Sequence, residues 1–232
     1  MKLQLPTVTL LAVDCLNTDL TIKVIEHCKS MCDFGAVKFL TSIPCEYEYA
    51  VKIKPLNSLI AYSIFMLKEA YKYIDTKMVL VVQRDGWILN TSSWNDEWLS
   101  LDFIGGIFMQ TDLVGSGGFS LRSKKIMEAA SHTLPDWDGT QKGAEEIQSG
   151  ISFYEDGMLS LTPFAKKFKI ASLEQAANFS QAGNRNPRYF RERPFGYHRT
   201  WQTIDFKTGI VDSSDLSKDI HVSYDAEINE LS

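Results

Sequence analysis

The chain has 232 residues, 44% of them hydrophobic, enough for one domain with a sizeable core and too apolar for a disordered protein. Its 24 basic and 29 acidic residues leave a formal charge of −5, which argues against a general nucleic-acid binder. No apolar run reaches the ~18–20 residues of a membrane span, and the opening Met1-Lys2-Leu3-Gln4-Leu5-Pro6 lacks the pattern of a signal peptide.

Residues 8–14 predict a buried first strand ending in Asp14. Residues 17–31 predict an amphipathic helix, with Leu20, Val24, Ile25 and Cys28 at helical spacing and Asn17 or Thr18 as its cap. Strands follow at 36–41 and 49–53, the latter cut off by Pro55. A helix over 58–74 places Ile60, Ile64, Leu67 and Tyr71 near one face. Met78-Val79-Leu80-Val81-Val82 is then a strand apolar on both faces, ending in Gln83-Arg84-Asp85-Gly86. This order of strands and helices predicts an α/β fold with a mostly parallel central sheet flanked by helices. After Trp87 the character becomes mixed: a short strand at 102–106, a glycine-rich loop at 114–120 opening a helix that ends near Ala130, a polar loop at 135–143, a helix at 145–154 and a short element at 161–168. The chain divides into one domain over 1–205, with halves at about 1–90 and 91–205, and an acidic tail over 206–232.

Several stretches carry candidate chemistry. Asp85 at the carboxyl end of a central strand suits a metal–phosphate site, and equally an Asp-Gly turn that ends the strand. Val114-Gly115-Ser116-Gly117-Gly118-Phe119-Ser120 before a helix offers backbone N–H groups to an anion, or is a flexible turn. It lacks the Gly-Lys-Ser/Thr ending of a P-loop. Glu145-Glu146 opens a helix as ordinary dipole partners or as a general base. His198 follows an arginine-rich stretch (Arg185, Arg188, Arg191, Arg193, with Arg199 after it) and is either a core histidine or a metal ligand. Cys15, Cys28, Cys32 and Cys45 form no C-x-x-C pair, a usage that fits a reducing compartment; Cys28 and Cys32, at i, i+4 beside His27, read as small buried thiols in preference to a zinc site.

Leu10-Leu11-Ala12-Val13-Asp14, Tyr62-Ser63-Ile64-Phe65-Met66-Leu67-Lys68-Glu69, Val82-Gln83-Arg84-Asp85-Gly86-Trp87, Asp102-Phe103-Ile104-Gly105, Val114 through Ser123, and Pro194-Phe195-Gly196-Tyr197-His198 occur in that order. Together they resemble the bacterial DUF5672 family, which is similar to GT-A-type glycosyltransferases. The resemblance covers about residues 5–200 and implies a GT-A-like, Rossmann-like domain with a mixed α+β second half. It implies a nucleotide-sugar donor met by Val13, Asp14, Lys68, Arg84, Asp85, Gly115, Gly117 and Gly118. A divalent cation, Mn²⁺ or Mg²⁺, would be held by Asp85 and His198. Glu146, with Glu145 second, would be the base acting on the acceptor hydroxyl. The acceptor is expected to be a glycan or lipid-linked sugar in surface polysaccharide assembly. The expected location is the cytoplasm at the inner face of the membrane, with no more than peripheral membrane contact and no nucleic-acid partner. The chain departs from the pattern in three places. Asp85 stands without a second carboxylate, so Asp-x-Asp is absent; Ala144-Glu145-Glu146 replaces Pro-Glu-Asp; and the arginine-rich insertion is long. Beside inverting glycosyl transfer, two other functions stand open: a glycosyltransferase-like protein that binds nucleotide or glycan without catalysis, and a nucleotidyltransferase.

Overall fold

A computed structural model describes residues 1–108, 112–182, 187–198, 204–205 and 210–211. The first half is an α/β unit built on parallel strands. Strand β1 (Leu3–Val13) leads into helix α1 (Thr18–Met31), capped by the Asn17 side chain accepting from the Leu20 amide. Strands β2 (Cys32–Thr41) and β3 (Ala50–Lys52), helix α2 (Leu59–Lys68) and strand β4 (Met78–Val82) follow. The helix predicted over 58–74 stops at Lys68, and a 3-10 turn over Ala70–Tyr73 completes it.

The chain then crosses into a second layer with β5 (Gly86–Ile88) and returns with β6 (Phe103–Ile107) and β7 (Val114–Ser123). Helices α3 (Lys124–Ser131), α4 (Gln141–Ser149), α5 (Glu155–Leu161) and α6 (Leu173–Phe179) come next, with strands β8 (Ser180–Gln181), β9 (Gly196–His198), β10 (Ile204–Asp205) and β11 (Ile210–Val211). The main sheet runs β3-β2-β1-β4-β7-β6; β3, β2, β1 and β4 are parallel, and β7 is antiparallel to both its neighbours. A smaller sheet, β5-β9-β8, lies beside it, and β10 pairs with β11. Beyond β10 and β11, the stretch read as an acidic tail lies outside the described residues. Among the described residues no helix is long and apolar enough to cross a membrane.

One prediction fails here. The glycine-rich stretch before α3 is a strand, buried along its ten residues, where the sequence reads as a loop or flexible turn. Phe119 and Leu121 fill one face, while the glycines let β6 and β7 approach: a Cβ at Gly105 would stand 2.2 Å from the Ser116 carbonyl oxygen. β7 also joins the two halves of the chain, since it pairs with β4 along Met78–Val82. Behind it, Trp98, Phe119, Phe179 and Phe195 form an aromatic core with ring centroids 5.1 to 5.9 Å apart. This cluster holds the Pro194–Phe195 segment, and with it β9 and His198, against the sheet.

Candidate active site

The strand order places β1 and β4 at a topological switch point, where open α/β sheets bind ligands beyond the strands' carboxyl ends. A cleft of about 280 Å³ lies there, lined by Val13, Asp14, Ser58, Tyr62, Arg84 and Asp85, among others. Its lip carries Leu16 and Leu59, both large and exposed.

Asp14 is fully engaged. Its Oδ1 accepts from the amides of Leu16 (2.7 Å) and Asn17 (3.0 Å), and its Oδ2 from Thr21 Oγ1 (2.8 Å) and Arg84 Nη1 (3.2 Å). Asp14 thus turns the chain into α1 and holds the Arg84 guanidinium at the cleft wall. Arg84 remains one-third exposed, so its other donors reach solvent or a ligand.

Residues Gln83–Gly86 make the predicted turn, closed by the Gly86 amide donating to the Gln83 carbonyl at 3.0 Å. The glycine is needed for close approach: a Cβ there would meet the Tyr197 carbonyl oxygen at 3.0 Å and that of Gly118 at 3.2 Å. Gly86 pairs with His198 across β5 and β9. This pairing brings His198 Nε2 to 3.6 Å from Asp85 Oδ2, both side chains nearly buried. The other ring nitrogen, Nδ1, is 3.0 Å from Ser116 Oγ. Nε2 has no hydrogen-bond partner among the described residues.

The pair fits a shared cation. Two ligand atoms each ~2.1 Å from one metal, ~90–120° apart, are separated by roughly 3.0–3.6 Å. With Nδ1 engaged by Ser116, a neutral imidazole can turn its Nε2 lone pair toward Asp85. Asp85 and His198 are two protein ligands; among the described residues no group of three or more His, Cys, Asp or Glu gathers around one point, so water and phosphate oxygens would complete the shell.

The glycines of β7 divide by neighbour. A Cβ at Gly118 would lie 2.1 Å from His198 Nε2, so this position keeps the imidazole over the strand. Gly117 faces Asp156 and Glu155, and its amide donates to Asp156 Oδ2 at 3.2 Å. Gly115 packs on the Phe108 ring and Ser160, and serves the hairpin.

Three sequence candidates stand elsewhere. Lys68 does not reach the cleft. It is buried, and its ammonium donates to the carbonyls of Ser131 (2.6 Å) and Leu134 (2.9 Å) and lies 3.4 Å from Asp136, tying down the end of α3. Glu146 sits on the solvent side of α4, beside Lys142 at 3.7 Å. Glu145 lies closer to the cleft rim, through Gln141, which bonds both Glu145 (2.7 Å) and Ser58 (2.8 Å).

The carboxylates that do meet the β7 glycines are Glu155 and Asp156, at the start of α5. Sequence reasoning missed them because it ran one helix over 145–154, whereas α4 closes at Ser149 and Gly150 follows as its cap. The available signal was that acidic doublet after the break, in the first turn of the next helix. Burial, and next the Asp156 carboxylate, push Glu155 up to about 7 against the pull of Arg122. Of the arginine-rich stretch, Arg191 is committed to Glu174 (2.7 Å) and Asn178 (2.9 Å), while Arg185 and Arg199 lie outside the described residues. Among the described residues all four thiols are free; Cys28 and Cys32 are buried, and burial pushes both up to about 12, while Cys15 and Cys45 are half-buried.

Comparison with solved structures gives the architecture a context. The fold is similar to a glycosyltransferase involved in the glycosylation of the major capsid of PBCV-1, at 10% identity and TM-score 0.55, over 97% of this chain and 98% of that one. It is also similar to the galactosyltransferase LgtC, crystallised with donor and acceptor sugar analogs, at 11% identity and TM-score 0.51, over 96% of this chain and 94% of that one. At such identity the likeness is one of fold, and the fold is that of GT-A-type glycosyltransferases. No curated protein matches the chain. A family model described as "Protein of unknown function (DUF5672)" matches residues 47–198, which span β3, the Asp85 turn, β7 and His198, and the chain belongs to that family.

Proposed function

We propose that this protein transfers a sugar from a nucleotide-sugar donor to a hydroxyl of a glycan or lipid-linked acceptor, with inversion, in surface polysaccharide assembly. The observation that carries this reading is the approach of Asp85 and His198 to 3.6 Å beside a switch-point cleft in a glycosyltransferase fold. The cleft takes the nucleoside diphosphate, with Arg84, oriented by Asp14, facing its negative charge. A divalent cation, Mn²⁺ or Mg²⁺, held by Asp85 and His198 would supply Lewis-acid neutralisation of the diphosphate.

We assign the base to Asp156 in place of Glu146. Asp156 is half-buried, opens α5 and touches Gly117, next to the glycine that carries His198. Its carboxylate takes the proton of the acceptor hydroxyl as that oxygen attacks the anomeric carbon. The bond from that carbon to the diphosphate oxygen breaks, and the electron pair leaves with the nucleoside diphosphate.

A second reading is binding without transfer. It draws on Gln83, which stands two residues before Asp85 and donates its amide to the Tyr62 hydroxyl at 2.9 Å, where a second carboxylate would strengthen cation binding. Thermal shift with a panel of sugar nucleotides, with and without Mn²⁺, followed by nucleoside-diphosphate release across acceptors, separates the two. Transfer that is lost in a folded Asp85→Ala variant supports the proposal. Binding with no turnover for any acceptor favours the second reading, and neither binding nor turnover refutes both.

A further inference from the structure

Where α5 packs on β7, a fully buried arginine meets Glu155, the first of two adjacent carboxylates. We infer that Arg122 and Glu155 are a positioning pair: together they fix the Gly117 peptide unit, and with it the amide that holds Asp156. This deepens the reading of Asp156 as base and rests on it.

The geometry is a clamp on one peptide unit. Arg122, in β7, is wholly inaccessible to solvent. Its Nε donates to Ser120 Oγ (2.9 Å), and its Nη2 to the Gly117 carbonyl (3.1 Å) and Glu155 Oε1 (3.4 Å). Ser120 Oγ donates to the same Gly117 carbonyl at 2.7 Å. On the other side of Gly117, its amide donates to Asp156 Oδ2. The helix start is fixed as well: the Glu155 amide donates to Ser63 Oγ on α2 at 2.8 Å, and the Gly157 amide to Asp156 Oδ1 at 2.7 Å. Only glycine fits between these groups, since a Cβ at position 117 would lie 2.7 Å from Asp156 Cβ and 2.9 Å from both Arg122 Nη2 and Glu155 Oε1.

A buried guanidinium needs partners, because stranding it costs more than a surface charge does. Here its charged partner is Glu155, almost wholly desolvated, whereas Asp156 keeps solvent contact. Without Arg122 the Gly117 carbonyl would keep Ser120 Oγ alone, and the peptide whose amide Asp156 accepts from would be released.

The test combines backbone amide NMR of the full chain without donor with steady-state transfer kinetics, in wild type, Arg122→Lys, Glu155→Ala, Glu155→Gln and Asp156→Ala. The inference expects the Gly117 amide resonance to move in Arg122→Lys and Glu155→Ala toward its position in Asp156→Ala, where its acceptor is lost. It also expects Arg122→Lys to lower kcat at least tenfold with the donor KM unchanged, and Glu155→Gln, which keeps an acceptor for Arg122 Nη2, to recover part of the kcat lost in Glu155→Ala. A Gly117 amide unmoved in Arg122→Lys and Glu155→Ala, or wild-type kcat in both, overturns the inference. The amide shifts do not depend on turnover. Displaced Gly117 amides in a protein that transfers no sugar would therefore refute the function and leave the positioning pair standing.

Discussion

Replacing Gly118 by alanine should disable the site through His198 while leaving every charged group in place. The added Cβ would stand 2.1 Å from His198 Nε2 and 2.4 and 2.5 Å from two ring carbons. Ordinary contact begins near 3.4 Å, so the ring must move by about 1.3 Å, the difference from 2.1 Å. It cannot do so and keep the 3.0 Å bond from Nδ1 to Ser116 or its 3.6 Å station beside Asp85. Overpacking of this kind costs ~1–3 kcal/mol. For a chain of this size each kcal/mol lowers Tm by roughly 2–4 °C. The expected result is a Tm lower by several degrees, loss of the Mn²⁺-dependent part of the thermal shift, and transfer reduced at least a hundredfold. A double-mutant cycle with His198→Ala sharpens the test: truncating the ring removes the clash, so the double variant should melt like His198→Ala alone and stay inactive. Wild-type melting and turnover in Gly118→Ala, or a double variant that recovers no stability, would refute the reasoning.

Other expectations follow from the same geometry. Asp156→Asn should lower kcat by ~10²–10⁴, the usual worth of a positioned base; Glu146→Gln, on the solvent face of α4, should stay within twofold in the same product-formation assay. Lys68→Met should leave the donor KM unchanged but lower the denaturation midpoint, because the Ser131 and Leu134 carbonyls lose their donor at about 1–3 kcal/mol. Stability should also depend on Glu155: its folded value near 7 exceeds the ordinary 4.5, so the native state holds more protons between them and stability falls as pH rises across that window. The loss is on the order of 3 kcal/mol at most; comparing melts from pH 4.5 to 7.5, Glu155→Gln should lack this component, and an identical pH slope in both proteins would contradict it.

What was legible in the sequence is what neighbouring residues encode. Asn17 as a helix cap, the apolar run of β4 and the turn at Asp85 follow from side-chain chemistry within a few positions, and each is found in the structure. The glycine-rich stretch illustrates the limit. Glycine and serine carry no apolar period, so the segment reads as a loop, yet β4 and β6 supply the ladder that makes it a strand. The two acidic doublets show the same limit at the site. Glu145-Glu146 and Glu155-Asp156 are nearly the same word, and both stand on short helices. Depth separates them: α4 packs on α2 with Glu146 in solvent, whereas α5 packs on β7 and sinks Glu155 onto Arg122. That arginine lies 33 residues from its partner, and nothing within either helix announces the contact. A carboxylate's environment, and hence its use as acid, base or mere dipole partner, is therefore decided by the strand beneath it. For the same reason the glycines at 117 and 118 are better guides to the proposed site than the charged residues: each marks a place where the backbone yields room to a side chain from another part of the chain.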